Sequence, residues 1–281
     1  MSISIDQVFS KQYEREVHVA YQRKGSKLRG TIRTKNGIKG LSTFFPKAGT
    51  GEAGTKGRHG LVPVMNVDHS QVECTLADYY AGDWVDTLDE LKTQIDEREV
   101  LVNAGAYALG RKTDSLIITT LATGSNSTTM TTGSGEAGFR NSVLLAIAAL
   151  LDRDVPDDGD IYAAIGNRYW AWLMTIEEFA SSDWTGPALP YTKAGMMKSW
   201  LGVNWIRHSG LPKSSNDRTN FLYHRTAAGH AIGADVQTDI TWHGDRAAHF
   251  INNMMSMGTA LIDGNGVQKM VLDESAALPT S

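Results

Sequence analysis

Two segments, Gly49-Gly51-Gly54 and Gly133-Gly135-Gly138, have the G-x-G-x-x-G spacing that lets a backbone cradle the phosphates of a dinucleotide. Such a site also needs a buried strand before the glycines and a helix after them, so that the helix N-terminus meets the phosphate. The first segment runs on into Gly57, Gly60 and Pro63, so no helix follows it. The second leads into a good helix, with Asp152 at a plausible distance downstream. Before it, however, stands Ser-Thr-Thr-Met-Thr-Thr where an apolar strand is required. Both segments read as loops, and no cofactor is expected. Asp68-His69-Ser70 has the letters of a catalytic triad, but neighbours on a strand point to opposite faces and triads assemble from distant positions. His224, His230, His243 and His249 lack the spacing that brings two imidazoles to one metal. Asp239, His243 and Asp245 could converge, yet a capped helix start explains Asp245 equally, and no metal is expected. Trp170, Trp172, Trp184, Trp200, Trp205 and Trp242 could stack bases, but without interleaved Lys and Arg they read as core or interface packing. The residues therefore offer no catalytic constellation.

The composition agrees. The chain has 281 residues, is 41% hydrophobic and carries 27 basic against 31 acidic residues, a formal net charge of −4. That suffices for one large or two small domains with a real core, and it lacks the basic excess of a dedicated nucleic-acid binder. Cys74 is the only cysteine, which excludes an intramolecular disulfide and a thiolate cage and fits a reducing compartment. The N-terminus has no apolar signal core and no run is long enough to span a bilayer, so a protein without a membrane or cleaved-signal role is expected.

The features that stand out are architectural. Residues 86–121 read as one long helix, with Leu88, Leu91, Ile95, Val102, Ala106, Leu109, Leu116 and Leu121 at three- and four-residue steps. Asp86, Asp89 and Glu90 crowd its first turn, where carboxylates oppose the helix dipole. Such a helix is on the order of 50 Å long, a spine for an elongated subunit, since a round domain of this length has a radius of gyration of only about 19 Å. Gly105 and Gly110 within it mark a bend or the close approach of another backbone. Residues 4–24 read as an amphipathic helix with Phe9, Tyr13, Val17 and Tyr21 on one stripe. Residues 31–33, 42–45 and 72–76 read as strands, with Asn36-Gly37 as a hairpin signal and a glycine-rich tip over 47–60. That tip carries Lys47, Lys56, Arg58 and His59 against one acid, Glu52, and long loops of this kind usually have a use. Residues 122–138 read as a flexible connection, 139–151 and 167–179 as helices (Trp170, Leu173 and Met174 inward), and 161–165, 203–207, 221–223 and 235–242 as strands. Residues 245–257 read as a helix stopped by Gly258, and 260–272 as a hairpin around 263–266. Strands and helices mix without a βαβ rhythm, so the class is α+β.

The segments KLRGTIRTKNGIKG, VDHSQVECTLADYYAGDWVD, DEREVLVNAGAYALGRKTD and GHAIGADVQTDITWHGDRAAHFINNMMSMGTALIDGNGV resemble the major capsid proteins of tailed bacteriophages, nearly end to end and in order. The resemblance implies the Johnson fold. Its parts would be an N-terminal arm (1–30), an extended β-loop (31–75), a peripheral domain with the spine helix (76–135 with 235–281) and an axial domain (136–234). It implies a non-enzymatic shell protein of the virion, assembled in the bacterial cytoplasm. Pentamers and hexamers of the chain itself would close an icosahedral head around double-stranded DNA, without sequence-specific contact. Because the chain starts at the arm, a separate scaffolding protein is expected, together with a portal. Some relatives join a loop lysine to a neighbour's asparagine. Lys47 and Lys56 lie on the loop and Asn252 and Asn253 lie in the helix expected over 245–257 of the peripheral domain, but no acid suited to that reaction is evident and cross-linking is not expected. The shell of a gene-transfer particle or protein compartment is the alternative within the fold, and a nucleotide-dependent enzyme the alternative outside it. The charge pattern makes Lys47, Lys56, Arg58 and His59 on the loop, and Asp86, Asp89 and Glu90 at the spine, the candidates for contact between subunits.

Overall fold

The structure, a computed structural model, describes residues 25–88, 97–131, 134–176 and 197–275. The amphipathic stripe of residues 4–24, Asp89, Glu90 and Trp184 lie outside them. The chain divides into two compact units. Among the described residues one holds 78–88, 97–111 and 235–255, and the other holds 26–77, 112–131, 134–176, 197–234 and 256–275.

In the larger unit the strands β5 (Ser127–Thr129), β6 (Ile161–Ile165), β7 (Met197–Trp200), β8 (Val203–Arg207), β9 (Lys213–Ser214), β10 (Asp217–His224) and β13 (Val267–Asp273) form one sheet. Its order is β5-β13-β10-β6-β8-β7, with β9 on β10. Alternation splits its side chains between two faces. Ile161, Ala163, Ile165, Leu222, Met270 and Leu272 pack with Phe139, Val143, Ala146 and Leu150 of one helix (Gly135–Leu151) and Tyr169, Trp172 and Leu173 of another (Asn167–Thr175). Phe139 stacks on Tyr169 at 5.6 Å and lies 5.4 Å from Trp172, which ties the two helices together. On the opposite face Ala164, Phe221, Tyr223 and Val267 pack with Leu28, Ile32, Ile117, Ile118 and Leu121. The last three come from the long helix, whose described extent is Glu97–Ala122. In chain order we call the helices α1 (97–122), α2 (135–151) and α3 (167–175).

The expected spine therefore exists, but it does not begin at Asp86. That residue ends a strand, β4 (Ala77–Asp86), which sequence reasoning missed. A second strand pair, β2 (Ser42–Ala48) and β3 (His69–Thr75), forms an antiparallel ribbon in register from Ser42↔Thr75 to Ala48↔His69. Cys74 is buried in this ribbon, and burial raises its thiol pKa despite a backbone hydrogen bond involving Ala231.

The remaining sheet has the order β1-β11-β12-β4, with β1 (Arg33–Asn36), β11 (Ala228–His243) and β12 (Ala248–Leu261). Four expectations fail here and in the larger sheet, each for a long-range reason. Residues 245–257 are mostly strand β12, not a helix. Ile251, Asn253, Met255 and Met257 are buried with period two, and pairing to β11 and β4 outweighs the helix-like spacing of the methionines. Gly258 continues this strand, and the position requires a glycine because a Cβ there would stand 2.2 Å from the carbonyl oxygen of Thr75. Asn36-Gly37 is not a hairpin: β1 runs parallel to β11, from Arg33↔Gly229 to Asn36↔Ile232, and residues 29–31 before it form a 3-10 turn. The turn at 263–266 is real, but β12 and β13 enter different sheets. Residues 122–138 are not merely a connection: β5 lies parallel to β13, anchored by Asn126 Nδ2 donating to the carbonyls of Gly264 and Val267.

In the smaller unit Gly105 of α1 faces the sheet. A Cβ there would lie 2.1 Å from Asn253 Nδ2 and 3.2 Å from the carbonyl oxygen of Ala81, which is the close approach its position in a helix suggested. Among the described residues no helix is long and apolar enough to cross a membrane.

Candidate assembly surfaces

The β2–β3 ribbon holds its ladder as far as Gly49, whose N–H donates to Asp68 at 2.7 Å. Beyond it, residues 50–66 form no ladder and are exposed throughout. The glycines serve a purpose here that has nothing to do with phosphate. A Cβ on Gly51 would meet Met65 at 2.5 Å and one on Gly54 would meet Pro63 at 2.8 Å, so bare backbone on the outgoing leg makes room for side chains of the return leg. Leu61, Val62 and Val64 are then left facing solvent, Leu61 at 95% exposure. This apolar stretch is the feature of the loop that a reading centred on its glycines and charges overlooks, although Leu61-Val62-Pro63-Val64-Met65 is legible as it stands.

Of the charged candidates, Lys56, Arg58 and His59 share the exposed loop. Lys47 does not belong with them. It lies on β2, and its Nζ stands 2.9 Å from Asp263 Oδ2 in the same chain, a half-exposed ion pair near the loop end of the ribbon. Asp86 is exposed, and its Oδ1 accepts from the N–H of Leu88 at 2.8 Å, capping the turn after β4.

Other exposed apolar side chains recur on the smaller unit: Tyr80, Trp84, Val236, Ile240 and Trp242. Trp84 is held by Phe250 at 4.6 Å and His243 at 5.0 Å, with the Arg246 guanidinium 4.5 Å over its ring. His249 likewise pairs with Trp242 at 4.9 Å. These histidines thus pack against aromatic rings, and His224 joins Thr226 and Asp158. Among the described residues no group of three His, Cys, Asp or Glu side chains gathers as a metal would require. In the second glycine segment the first glycine lies outside the described residues. Gly138 leaves space for Ser134, whose Oγ would be 1.7 Å from an added Cβ. A strand does precede this segment, but β5 is short and largely exposed.

A polar cluster forms around two fully buried side chains, Asp114 and His208. Asp114 on α1 accepts from Ser26 Oγ at 2.6 Å, from the backbone N–H of Lys27 and Leu28 at 3.1 Å each, and from His208 Nε2 at 3.0 Å. Gly210 N–H donates to His208 Nδ1, which places the ring proton on Nε2, facing the carboxylate. Burial alone would raise the Asp114 pKa, but these four donors together carry it below its ordinary value. Sequence reasoning missed this cluster because Asp114 and His208 are 94 residues apart.

A family model described as phage capsid protein matches residues 5–274. No curated protein matches the chain. Among solved structures, the capsid of cyanophage P-SCSP1u superposes with a TM-score of 0.76 at 15% identity, covering 99% of this chain and 96% of that one. A chain of Mycobacterium phage Che8 gives 0.74 at 16% identity, covering 98% and 100%. The capsid of Ralstonia phage GP4 gives 0.71 at 12% identity, with both chains covered in full, 100% each. At such identities the likeness establishes the fold.

Proposed function

The chain belongs to the phage capsid protein family, and from that premise we propose that it builds the icosahedral head of a tailed phage around double-stranded DNA. Pentamers and hexamers of this one chain make the shell, with a separate scaffolding protein and a portal, in the cytoplasm of the bacterial host. The observation that carries this reading is the loop beyond the β2–β3 ribbon: a long projection with exposed Leu61, Val62 and Val64 has a use only if another surface covers it. In this reading residues 1–30 are the arm, 31–75 the extended loop, 76–135 with 235–281 the peripheral domain, and 136–234 the axial domain. Lys56, Arg58 and His59 meet acids of a neighbouring copy, with Asp86, Asp89 and Glu90 as the surface they meet. Complementary charge of this kind sets register more than it adds affinity. Lys47 is a weaker candidate, because its ammonium already has Asp263. No residue is assigned a catalytic role and no cofactor is assigned.

Expressed with its scaffolding partner, the chain should give megadalton particles by sedimentation and closed shells by electron microscopy. Monomers and dimers alone, under all assembly conditions, would overturn the reading. Calorimetry with nicotinamide and adenine nucleotides should show no stoichiometric binding, whereas saturable micromolar binding abolished by Gly135→Val would instead establish a nucleotide site.

A further inference from the structure

We infer that Asp114 is a positioning residue for assembly: its buried carboxylate fixes where the N-terminal segment leaves the larger unit. The inference rests on the reading of residues 1–30 as an arm.

Residues 26–28 are held by a side chain, not by a strand ladder. Ser26 Oγ and the N–H groups of Lys27 and Leu28 all converge on Asp114, while Arg29 N–H donates back to Ser26 Oγ at 3.1 Å. This is the arrangement of a capped turn, except that the acceptor comes from a helix far along the chain. The carboxylate is itself immobilised. Its second oxygen takes the Nε2 proton of His208, whose backbone N–H donates to Ile165 on β6 at 2.8 Å and whose Nδ1 is occupied by Gly210. Immediately downstream the path is fixed by packing. Leu28 and Ile32 are in the core, and Thr31 is hydrogen-bonded to both the Leu28 carbonyl and the Tyr223 hydroxyl. The carboxylate thus anchors the first residues of this fixed path. A subunit whose arm must reach a set place on a neighbour needs its point of departure fixed before assembly, because ordering it at the interface subtracts from affinity. An Asp at this position does so with three donors from three successive residues.

The amide in Asp114→Asn keeps the shape but replaces one acceptor with a donor, and His208 cannot answer by shifting its proton while Gly210 N–H occupies Nδ1. The test compares full-length wild type, Asp114→Asn, the milder Ser26→Ala, and Glu274→Gln as a control. Glu274 is a mostly buried carboxylate of the same unit, held by Arg218 and Lys213 away from this junction. Hydrogen exchange of the amides of residues 26–29 is measured in the unassembled subunit, with trypsin cleavage after Lys27 and Arg29. Shell diameters are then scored by electron microscopy at matched folded concentration. Asp114→Asn should speed exchange at Lys27 and Leu28 at least tenfold relative to β6 and β10, and should give shells of mixed size or incomplete closure. Ser26→Ala should do the same more weakly. Glu274→Gln should lower the melting temperature without either effect. If Asp114→Asn fails to fold, Ser26→Ala decides. Uniform acceleration across all strands, or uniform shells from a variant with loosened amides, overturns the inference. A wild type that forms no particles overturns the functional reading instead.

Discussion

In the seven-stranded sheet, residues 220–224 of β10 are buried without interruption, whereas residues 50–66 beyond the β2–β3 ribbon are exposed without interruption. The same chain supplies both, and the difference lies in who provides the partner. β10 pairs with β13 on one side and β6 on the other, and both its faces are covered from within the chain. The loop has glycines that admit Met65 and Pro63, while Leu61, Val62 and Val64 are exposed, with nothing among the described residues covering them. Stability and assembly should therefore separate along this line: substitutions in the sheet change folding, and substitutions in the loop change only what happens between copies.

The largest effect is expected from Trp172→Ala. This fully buried ring contacts Phe139 and Tyr169, and its loss should cost about 4 kcal/mol in denaturant unfolding. A loss below about 1 kcal/mol would mean that the aromatic cluster is not the centre of the unit. Next comes Gly258→Val, where the new side chain meets the backbone of Thr75 and cannot be relieved by a rotamer change. About 3 kcal/mol or failure to fold is expected, and an unchanged melting curve would refute the close approach.

Asp114→Asn should cost about 2 kcal/mol, since buried donors lose their acceptor. Its pH dependence has a definite sign. The folded pKa lies below the unfolded one, so the native state holds fewer protons than the unfolded state as acid is added. The stabilisation is complete above the ordinary aspartate value of about 3.9 and is lost as pH falls through the lower folded value. Acid melts of wild type and Asp114→Asn should converge in that window, and parallel curves would count against the cluster. The smallest effect on folding is expected from Lys56→Glu combined with Arg58→Glu, within about 0.5 kcal/mol. Shell closure should nevertheless be impaired, since like charges would face each other at every copy of the contact. Normal shells at normal yield would reduce these charges to a solvated surface.

What the chain discloses before folding follows the range of the interaction. Strands β2, β3, β6 and β8 and helices α2 and α3 rest on local alternation or helical spacing, and they emerge from it. The loop is legible from its glycines, and Gly105 from its improbable place in a helix. Residues 248–257 are different. Phe250, Ile251, Met254, Met255 and Met257 satisfy a helical and a strand period about equally, and only β11 and β4 decide between them. β1 is parallel to a strand nearly two hundred positions later, so no turn signal near Asn36 can announce it. The Asp114 cluster is invisible for the same reason: its members become neighbours only after the sheet has formed.

The lone thiol offers a clock. Cys74 is almost fully buried at the foot of the ribbon, and burial keeps it in the unreactive protonated form. A thiol reagent can modify it only in the moments when β3 lifts away, so the labelling rate counts those openings. No second cysteine confuses the signal. Because the ribbon carries the projecting loop, the same count, taken in free subunits and in closed shells, tests whether a neighbour grips what this subunit holds out.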